Sequence, residues 1–279
     1  RMMLLCPLCQ KPLTPDEKSV VCKQGHRFDR ARQGYLNLLP VQHKKSRQPG
    51  DSKAMVQGRR AFLNAGYYQP IAEAVTQSLL SHLDGSSPSL LDIGCGEGYY
   101  TVFMQEALKA NGQQANWAGI DISKEAIRAA NQRSRSIEWV VASAARIPMP
   151  DSSLDGITAL FTLFESAEYA RVLKSNAPLV VTTTGPDHLL SLRELIYDQI
   201  RPQPFASVAK LDNHFRLISE ERVRFTLDLQ GESIQQLLGM TPHVWHTSLE
   251  RQDALKKLSV LTTQIDVNVT VFNKNSDNG

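Results

Sequence analysis

The sequence predicts an α/β chain: a doubly wound, mostly parallel sheet with helices on both faces, preceded by a small metal-pinned module. Three observations carry this. Short apolar runs alternate with helical periodicity from about residue 89 to about residue 184. One run ends in an acid followed by three glycines at alternate positions, "LLDIGCGEGYY" (90–100), a strand turning into a helix around a ligand. And three of the four cysteines fall within the first 22 residues.

The opening segment reads Cys6-x2-Cys9-x12-Cys22-x3-His26. Two ligand pairs on tight turns, a dozen residues apart, can put three thiolates and one imidazole at the corners of a tetrahedron, the arrangement of a closed structural Zn²⁺ site. Pro7 and Gly25 lie in the two turns, where such knuckles need them. A segment this short buries too little apolar area to fold alone, so one structural zinc per chain is expected as its staple. The alternative leaves the cysteines as free thiols. A catalytic zinc is not expected, because all four positions are filled.

His43, Lys44, Lys45 and Arg47 follow, with Arg59 and Arg60 beyond, and Lys11, Lys23, Arg27, Arg30 and Arg32 before them. Phosphate contacts and a solvated linker both suit such a stretch. The chain's formal charge of +3 is too small to indicate nucleic acid by itself. With 42% apolar and 21% charged residues, the composition is that of a soluble globular protein. No apolar run approaches the roughly 18 residues of a membrane span, and no signal peptide is recognised, so a cytoplasmic home is the default expectation.

A helix is expected over 51–65, started by Asp51 or Ser52, and another from Pro70 through "IAEAVTQSLLSHL". Strands are expected at "SLLDIG", "NWAGIDI", "IEWVVAS", "LDGITALF" and "APLVVTTTG". Helices fall from Tyr100 to Ala110, at "KEAIRAANQRS" and at "ESAEYARVLK". Residues 191–245 read as helical and then mixed, "LTTQIDVNVTVF" as a closing strand. The expected partition is 1–36 metal module, 37–69 basic linker and helix, 70–272 cofactor domain and 273–279 disordered tail.

A dinucleotide loop reads G-x-G-x-x-G and receives a pyrophosphate. Here the pattern is D-x-G-x-G-x-G, with Asp92 leading Gly94, Gly96 and Gly98 and with Glu97 between the last two glycines. A carboxylate there would repel a pyrophosphate and welcome a ligand carrying ammonium and sulfonium charges. Asp121, 23 positions after Gly98, stands where a carboxylate receives ribose hydroxyls. The small residues 142–145 after the third strand leave room for an adenine edge.

"LLDIGCGEGYYT", "GIDIS" and "ASAARIPMPDSSLDGI" resemble the successive motifs of class I S-adenosylmethionine-dependent methyltransferases. The cysteine–histidine knuckle, "GYLNLLPVQHKKSR", "RRAFLNAGYYQP", "TTTGPDHLLSLRELIY" and "LLGMTPHVW" extend the likeness over nearly the whole chain. Together they resemble the bacterial 23S rRNA guanine-N1 methyltransferase family, called RlmA in its Gram-negative branch. The resemblance implies a seven-stranded class I sheet, a zinc module recognising a 23S rRNA hairpin, and a homodimer. It implies metal ligands Cys6, Cys9, Cys22 and His26. Implied cofactor contacts are Tyr68, the loop from Asp92 through Gly94, Gly96, Glu97 and Gly98 to Tyr99, then Asp121 with Ile122, Ser143 with Ala144, and His188. "FTLFES" (161–166) and "SNAP" (175–178) depart from the family pattern on the side that faces the methyl acceptor.

Methyl transfer to guanine N1 requires an accessible Watson–Crick edge and loss of one proton. Tyr99, Tyr100, Phe161 and Phe164 are candidate stacking platforms, and core packing is the competing role for each. Glu165 is an available proton acceptor, with a helix-terminal carboxylate as the competing role. No catalytic base is assigned. Two other functions remain open: methylation of a small molecule, which leaves the zinc module idle, and a noncatalytic RNA-binding protein that retains the cofactor pocket.

Overall fold

The computed structural model describes residues 2–41, 50–199, 212–241, 244 and 246–277; His43, Lys44, Lys45 and Arg47 lie outside the described residues. The N-terminal module is a three-stranded antiparallel sheet of β1 (Thr14–Asp16), β2 (Ser19–Val21) and β3 (Arg27–Asp29) in that order. Strand β4 (Leu36–Asn37) leaves it and pairs in parallel with β7 (Glu138–Val141). The expected boundary at residue 36 thus falls inside a strand of the large sheet.

Ser52 caps α1 (Lys53–Asn64) by accepting the Met55 N–H, and Pro70 sits in the first turn of α2 (Gln69–Leu80). The alternation that follows gives β5 (Ser89–Ile93), α3 (Tyr99–Ala110), β6 (Asn116–Asp121), α4 (Lys124–Arg133) and β7. It continues with β8 (Gly156–Leu160), α5 (Ser166–Val172), β9 (Pro178–Thr184) and α6 (Leu190–Ile196). Strand β10 (Phe215–Gln230), α7 (Glu232–Gly239), α8 (Leu249–Lys256) and β11 (Val260–Lys274) close the chain.

Among the described residues the sheet has eight strands in the order β10-β11-β9-β8-β5-β6-β7-β4, where seven were expected. β4 is the addition, made of the last residue of the expected metal module and the first of the linker. From β4 to β9 all neighbours are parallel, and β11 runs antiparallel between β9 and β10. The chain winds outward from β5 through β6 and β7, then returns to place β8 on the other side of β5. The switch in strand order therefore lies at the carboxyl end of β5, where open α/β sheets bind ligands.

Strand β11 continues to Lys274, beyond residue 272 where the closing strand was expected to end. Lys274 donates from Nζ to the Leu173 carbonyl at 2.7 Å, and the Ser175 hydroxyl donates to Asp277 at 2.8 Å, so residues 273–277 are ordered against the α5–β9 turn rather than disordered. No helix among the described residues is long and apolar enough to cross a membrane.

Two apolar layers flank the sheet. One gathers side chains of α1 to α4 and α6 to α8, with Trp139 and Met104 fully enclosed. The other joins Leu4, Leu13 and Val20 of the N-terminal module to Leu36, Leu38, Val140, Ile147 and Met149 of the large domain. The Leu5 N–H donates to the Pro148 carbonyl at 2.9 Å, and Arg30 pairs with Glu138 at 2.8 Å. Module and sheet share one core instead of hanging on a flexible tether.

Candidate metal centre and cofactor site

Cys6 and Cys9 lie on one turn, closed by the Gln10 N–H donating to the Cys6 carbonyl at 2.8 Å. Cys22 and His26 lie on the β2–β3 connection, where Gly25 takes a positive φ of 85° and donates to the Cys22 carbonyl at 3.0 Å. Sγ of Cys6 and Sγ of Cys22 lie 3.5 and 3.4 Å from Nδ1 of His26, and Sγ of Cys9 lies 3.6 Å from Sγ of Cys22. These are the edges of a tetrahedron whose centre is about 2.3 Å from sulfur and about 2.0–2.1 Å from nitrogen. All four ligand atoms fall within 4.8 Å of one another. Burial alone would raise the Cys22 thiol; backbone hydrogen bonds from His26 and Gln24 and the adjoining Cys9 and His26 side chains bring it down to about 6.

The second site is a cavity of about 850 Å³ at the carboxyl ends of β5, β6 and β8, roofed by α1, α7 and the β9–α6 loop. Its floor is the glycine loop. Gly94 takes φ 64°, and a Cβ there would stand 2.8 Å from Thr162 Oγ1, so the position requires glycine. Asp121 ends β6 with Oδ2 accepting the Gly96 N–H at 3.0 Å and Oδ1 accepting the Ser123 N–H at 2.9 Å, and each oxygen keeps a lone pair for a ligand hydroxyl. Asp92 receives the hydroxyls of Thr101 at 2.6 Å and Thr158 at 2.8 Å. Burial pushes its carboxyl up to about 6 against those hydroxyls, with the Asp121 charge adding to the rise. Asp92 thus fixes the loop from beneath.

Glu97 is 2% exposed and its Oε2 pairs with Arg133 Nε, while its Oε1 has no partner among the described residues. The carboxylate that the sequence offers to a cationic ligand is therefore partly spent on α4. Gly98 does not line the cavity. At φ 88° it starts α3, and a Cβ there would meet Trp139 Cη2 at 2.9 Å and Ala130 Cβ at 3.0 Å, so this glycine is required for helix–sheet packing.

His188 enters from the β9–α6 loop, which is fastened to the C-terminal hairpin. Asp266 is fully buried; it accepts Arg222 Nε at 2.8 Å and Nη2 at 2.7 Å, and the Asp187 N–H at 3.0 Å. The Asp266 N–H donates to His188 Nδ1 at 3.2 Å, which leaves the proton on Nε2. Arg193 donates to the His188 carbonyl at 2.9 Å and the Pro186 carbonyl at 2.5 Å.

Burial holds the His188 imidazole down at about 4, with the Asp266 charge opposing and the Arg193 charge reinforcing. An unfolded chain takes up that proton near the ordinary 6.5, so the stability that His188 contributes is complete above pH 6.5. It is lost as pH falls through about 4, on the order of 3 kcal/mol in all. Asp92 and Asp121, both raised by burial, tilt oppositely: what Asp92 contributes is present below pH 3.8 and lost as pH rises through about 6. In urea titrations at pH 7 and pH 4.5, His188→Gln is expected to lose less stability on acidification than the wild type. Equal losses would contradict a neutral buried ring.

Residues 4–47 match the family described as RlmA, N-terminal, and residues 90–180 match a methyltransferase domain. The 23S rRNA (guanine(748)-N(1))-methyltransferase of Streptomyces fradiae is 30% identical over 247 residues, spanning 87% of this chain and 86% of its own. The chain belongs to the 23S rRNA (guanine-N1)-methyltransferase family. The YxjB protein of Bacillus subtilis (strain 168), 28% identical over 96% of both chains, is named for the same reaction. So is a Micromonospora griseorubida protein, 30% identical over 96% of this chain and 95% of its own.

A methyltransferase domain of this class uses S-adenosylmethionine, and the residues here fit that group. The cavity volume suits a nucleoside-sized ligand, Asp121 retains acceptor capacity, and the buried Glu97 Oε1 and Arg59 Nε are without partners among the described residues. Every cofactor residue expected from the sequence lines the cavity except Gly98. Tyr99, Tyr100 and Phe161 line it too, whereas Phe164 is exposed and outside the lining. Glu165 occupies the N-cap of α5 without a side-chain capping bond and faces the cavity instead. In the departing segment 161–166, Phe161 adopts a left-handed φ of 54° and Leu163 is 85% exposed, so the altered residues form the cavity's lip.

Arg59 and Arg193 also line the cavity, and the sequence reading missed both as site residues. Arg193 has no local signal, because its partners are carbonyls of the preceding loop. Arg59 has one: three residues after the buried Val56 and four before the buried Leu63, it shares their helix face.

Proposed function

We propose that this protein transfers a methyl group from S-adenosylmethionine to N1 of a guanine in a hairpin loop of 23S rRNA, in the cytoplasm and as a homodimer. The observation that carries the proposal is the common core: an RlmA-type Cys3His ribbon is packed on the same sheet that bears the cofactor cavity, a feature for which a small-molecule methyltransferase has no use. On this reading the ribbon of residues 1–36 meets RNA, and residues 70–272 form the transferase domain, to whose cavity the linker and helix of 37–69 lend Asp51, Arg59 and Tyr68.

Bound S-adenosylmethionine supplies a methyl group on an electron-poor sulfonium. The chain's residues bind and orient. Asp121 receives the ribose hydroxyls, Ile122, Ser143 and Ala144 border the adenine, and Tyr68 with the 92–99 loop encloses the amino-acid end. His188 adds a neutral Nε2–H donor. Guanine N1 lies on the pairing edge, so the nucleotide must leave its stack, and the aromatic lip of Tyr100 and Phe161, with ring centroids 6.4 Å apart, offers the replacement surface.

Four of the five carboxylates lining the cavity are engaged: Asp92 by Thr101 and Thr158, Glu97 by Arg133, Asp121 by two backbone N–H groups, and Asp51 by Arg59 at 3.3 Å. Glu165, on the lip, is the one positioned to take the N1 proton.

The test is transfer of labelled methyl groups to ribosomal RNA from a strain lacking the gene, followed by mapping of reverse-transcriptase stops. One stop at a hairpin-loop guanine is expected. Incorporation into small molecules alone, or RNA binding without incorporation, would overturn the proposal.

A further inference from the structure

The cofactor cavity is lined by five carboxylates and, among the described residues, by two cationic side chains, Arg59 and Arg193. That balance suits a sulfonium and an ammonium but raises a difficulty, since the amino-acid end of S-adenosylmethionine also carries a carboxylate. Three N–H groups of the glycine loop are already spent. The Cys95 N–H donates to the Ile120 carbonyl at 3.0 Å, the Gly96 N–H to Asp121, and the Gly98 N–H to the Cys95 carbonyl at 3.1 Å. Arg193 is spent on the carbonyls of His188 and Pro186.

Arg59 remains. It projects from the buried stripe of α1, and its Nη1 lies 3.8 Å from where a Cβ on Gly96 would stand, so the guanidinium sits over the middle of the loop. Its Nε is buried with no hydrogen-bond partner among the described residues, a donor that an apolar surround would penalise unless a ligand met it. Asp51 pairs with Nη1 and is itself fixed, because the Ser123 hydroxyl donates to the Asp51 carbonyl at 2.9 Å.

Resting on the cofactor assignment above, we propose that Arg59 is the anchor for the α-carboxylate of the cofactor's amino-acid end, with Asp51 holding the guanidinium in place. A planar fork with an unspent N–H is suited to a carboxylate, which is the one anionic group of the cofactor. Arg59 is thereby a specificity-determining residue: it distinguishes adenosyl compounds that retain the amino acid from adenosine thioethers that have lost it.

The experiment is calorimetric titration of the full chain with S-adenosylhomocysteine, which has the carboxylate, and with 5′-methylthioadenosine, which lacks it. Arg59→Gln is expected to weaken S-adenosylhomocysteine roughly tenfold to a hundredfold while leaving 5′-methylthioadenosine unchanged. Arg59→Lys, which keeps the charge without the fork, should fall between wild type and Arg59→Gln and decides the matter should Arg59→Gln fail to fold. Unchanged S-adenosylhomocysteine binding in the variants, or an equal loss for both nucleosides, would overturn the assignment. Failure of the wild type to bind either nucleoside would instead remove the cofactor reading, and this assignment with it.

Discussion

Cys22→Ser is expected to destabilise the whole protein and not the ribbon alone. Structural zinc in small ribbons carries most of their folding free energy, about 10–16 kcal/mol in isolated fingers at neutral pH, so the first 30 or so residues lose their fold with the metal. Here the consequence spreads. Leu4, Leu13 and Val20 are buried against Leu36, Leu38, Ile147 and Met149, and losing that cover exposes apolar surface worth about 2 kcal/mol for each side chain. The Leu5–Pro148 backbone bond and the Arg30–Glu138 pair go with it. The melting midpoint should fall on the order of 10 °C, and zinc content should drop from one equivalent to near none. Calorimetry beside elemental analysis checks both; a zinc-free variant with an unshifted midpoint would show the ribbon to be an independent unit.

Asp121→Ala should abolish cofactor binding under conditions where the wild type saturates. The substitution removes the acceptor of the Gly96 and Ser123 N–H groups, which shape the glycine loop and the start of α4. It also removes the oxygens assigned to the ribose hydroxyls. Two charge-assisted hydrogen bonds at about 1.5–3 kcal/mol each give a loss of roughly a hundredfold to ten-thousandfold in affinity. Asp121→Asn keeps one acceptor oxygen and should lose less. Titration with S-adenosylhomocysteine reads both, and near-native affinity in Asp121→Ala would rule out the assigned ribose contact.

What the sequence made legible follows from which interactions are local. The β5 to β9 alternation was readable because each strand is buried on both faces and each helix has a single apolar stripe, so the two periods separate cleanly. The four metal ligands were readable because a tetrahedron imposes their spacing. Strand β10 was not: its first half is exposed on both faces, leaving no alternation to detect, and its place at the sheet edge depends on pairing with β11, 30 or more residues downstream for most of its length. β4 is two residues long and exists only because β7 offers it an edge. Within the site, the strand-end acid Asp121 was legible by position. The Asp266–Arg222 support of His188 joins residues 44 apart on adjacent strands to a loop 78 residues upstream, and no local pattern encodes it. Arg59 reads along the chain as one more charge of the basic stretch, and only the face of α1 that it shares with Val56 and Leu63 turns it into the cavity.

The placement of β11 has a consequence for biosynthesis. β11 is synthesised after both of the strands between which it is inserted, and its Asp266 supplies the peg on which the His188 loop hangs. A nascent chain holding the nucleotide-binding half, already complete by residue 184, still lacks the wall that presents His188. The wall that carries His188 therefore forms only once residues 260–274 have been made, which leaves β11 as sensitive to truncation as the glycine loop is to substitution.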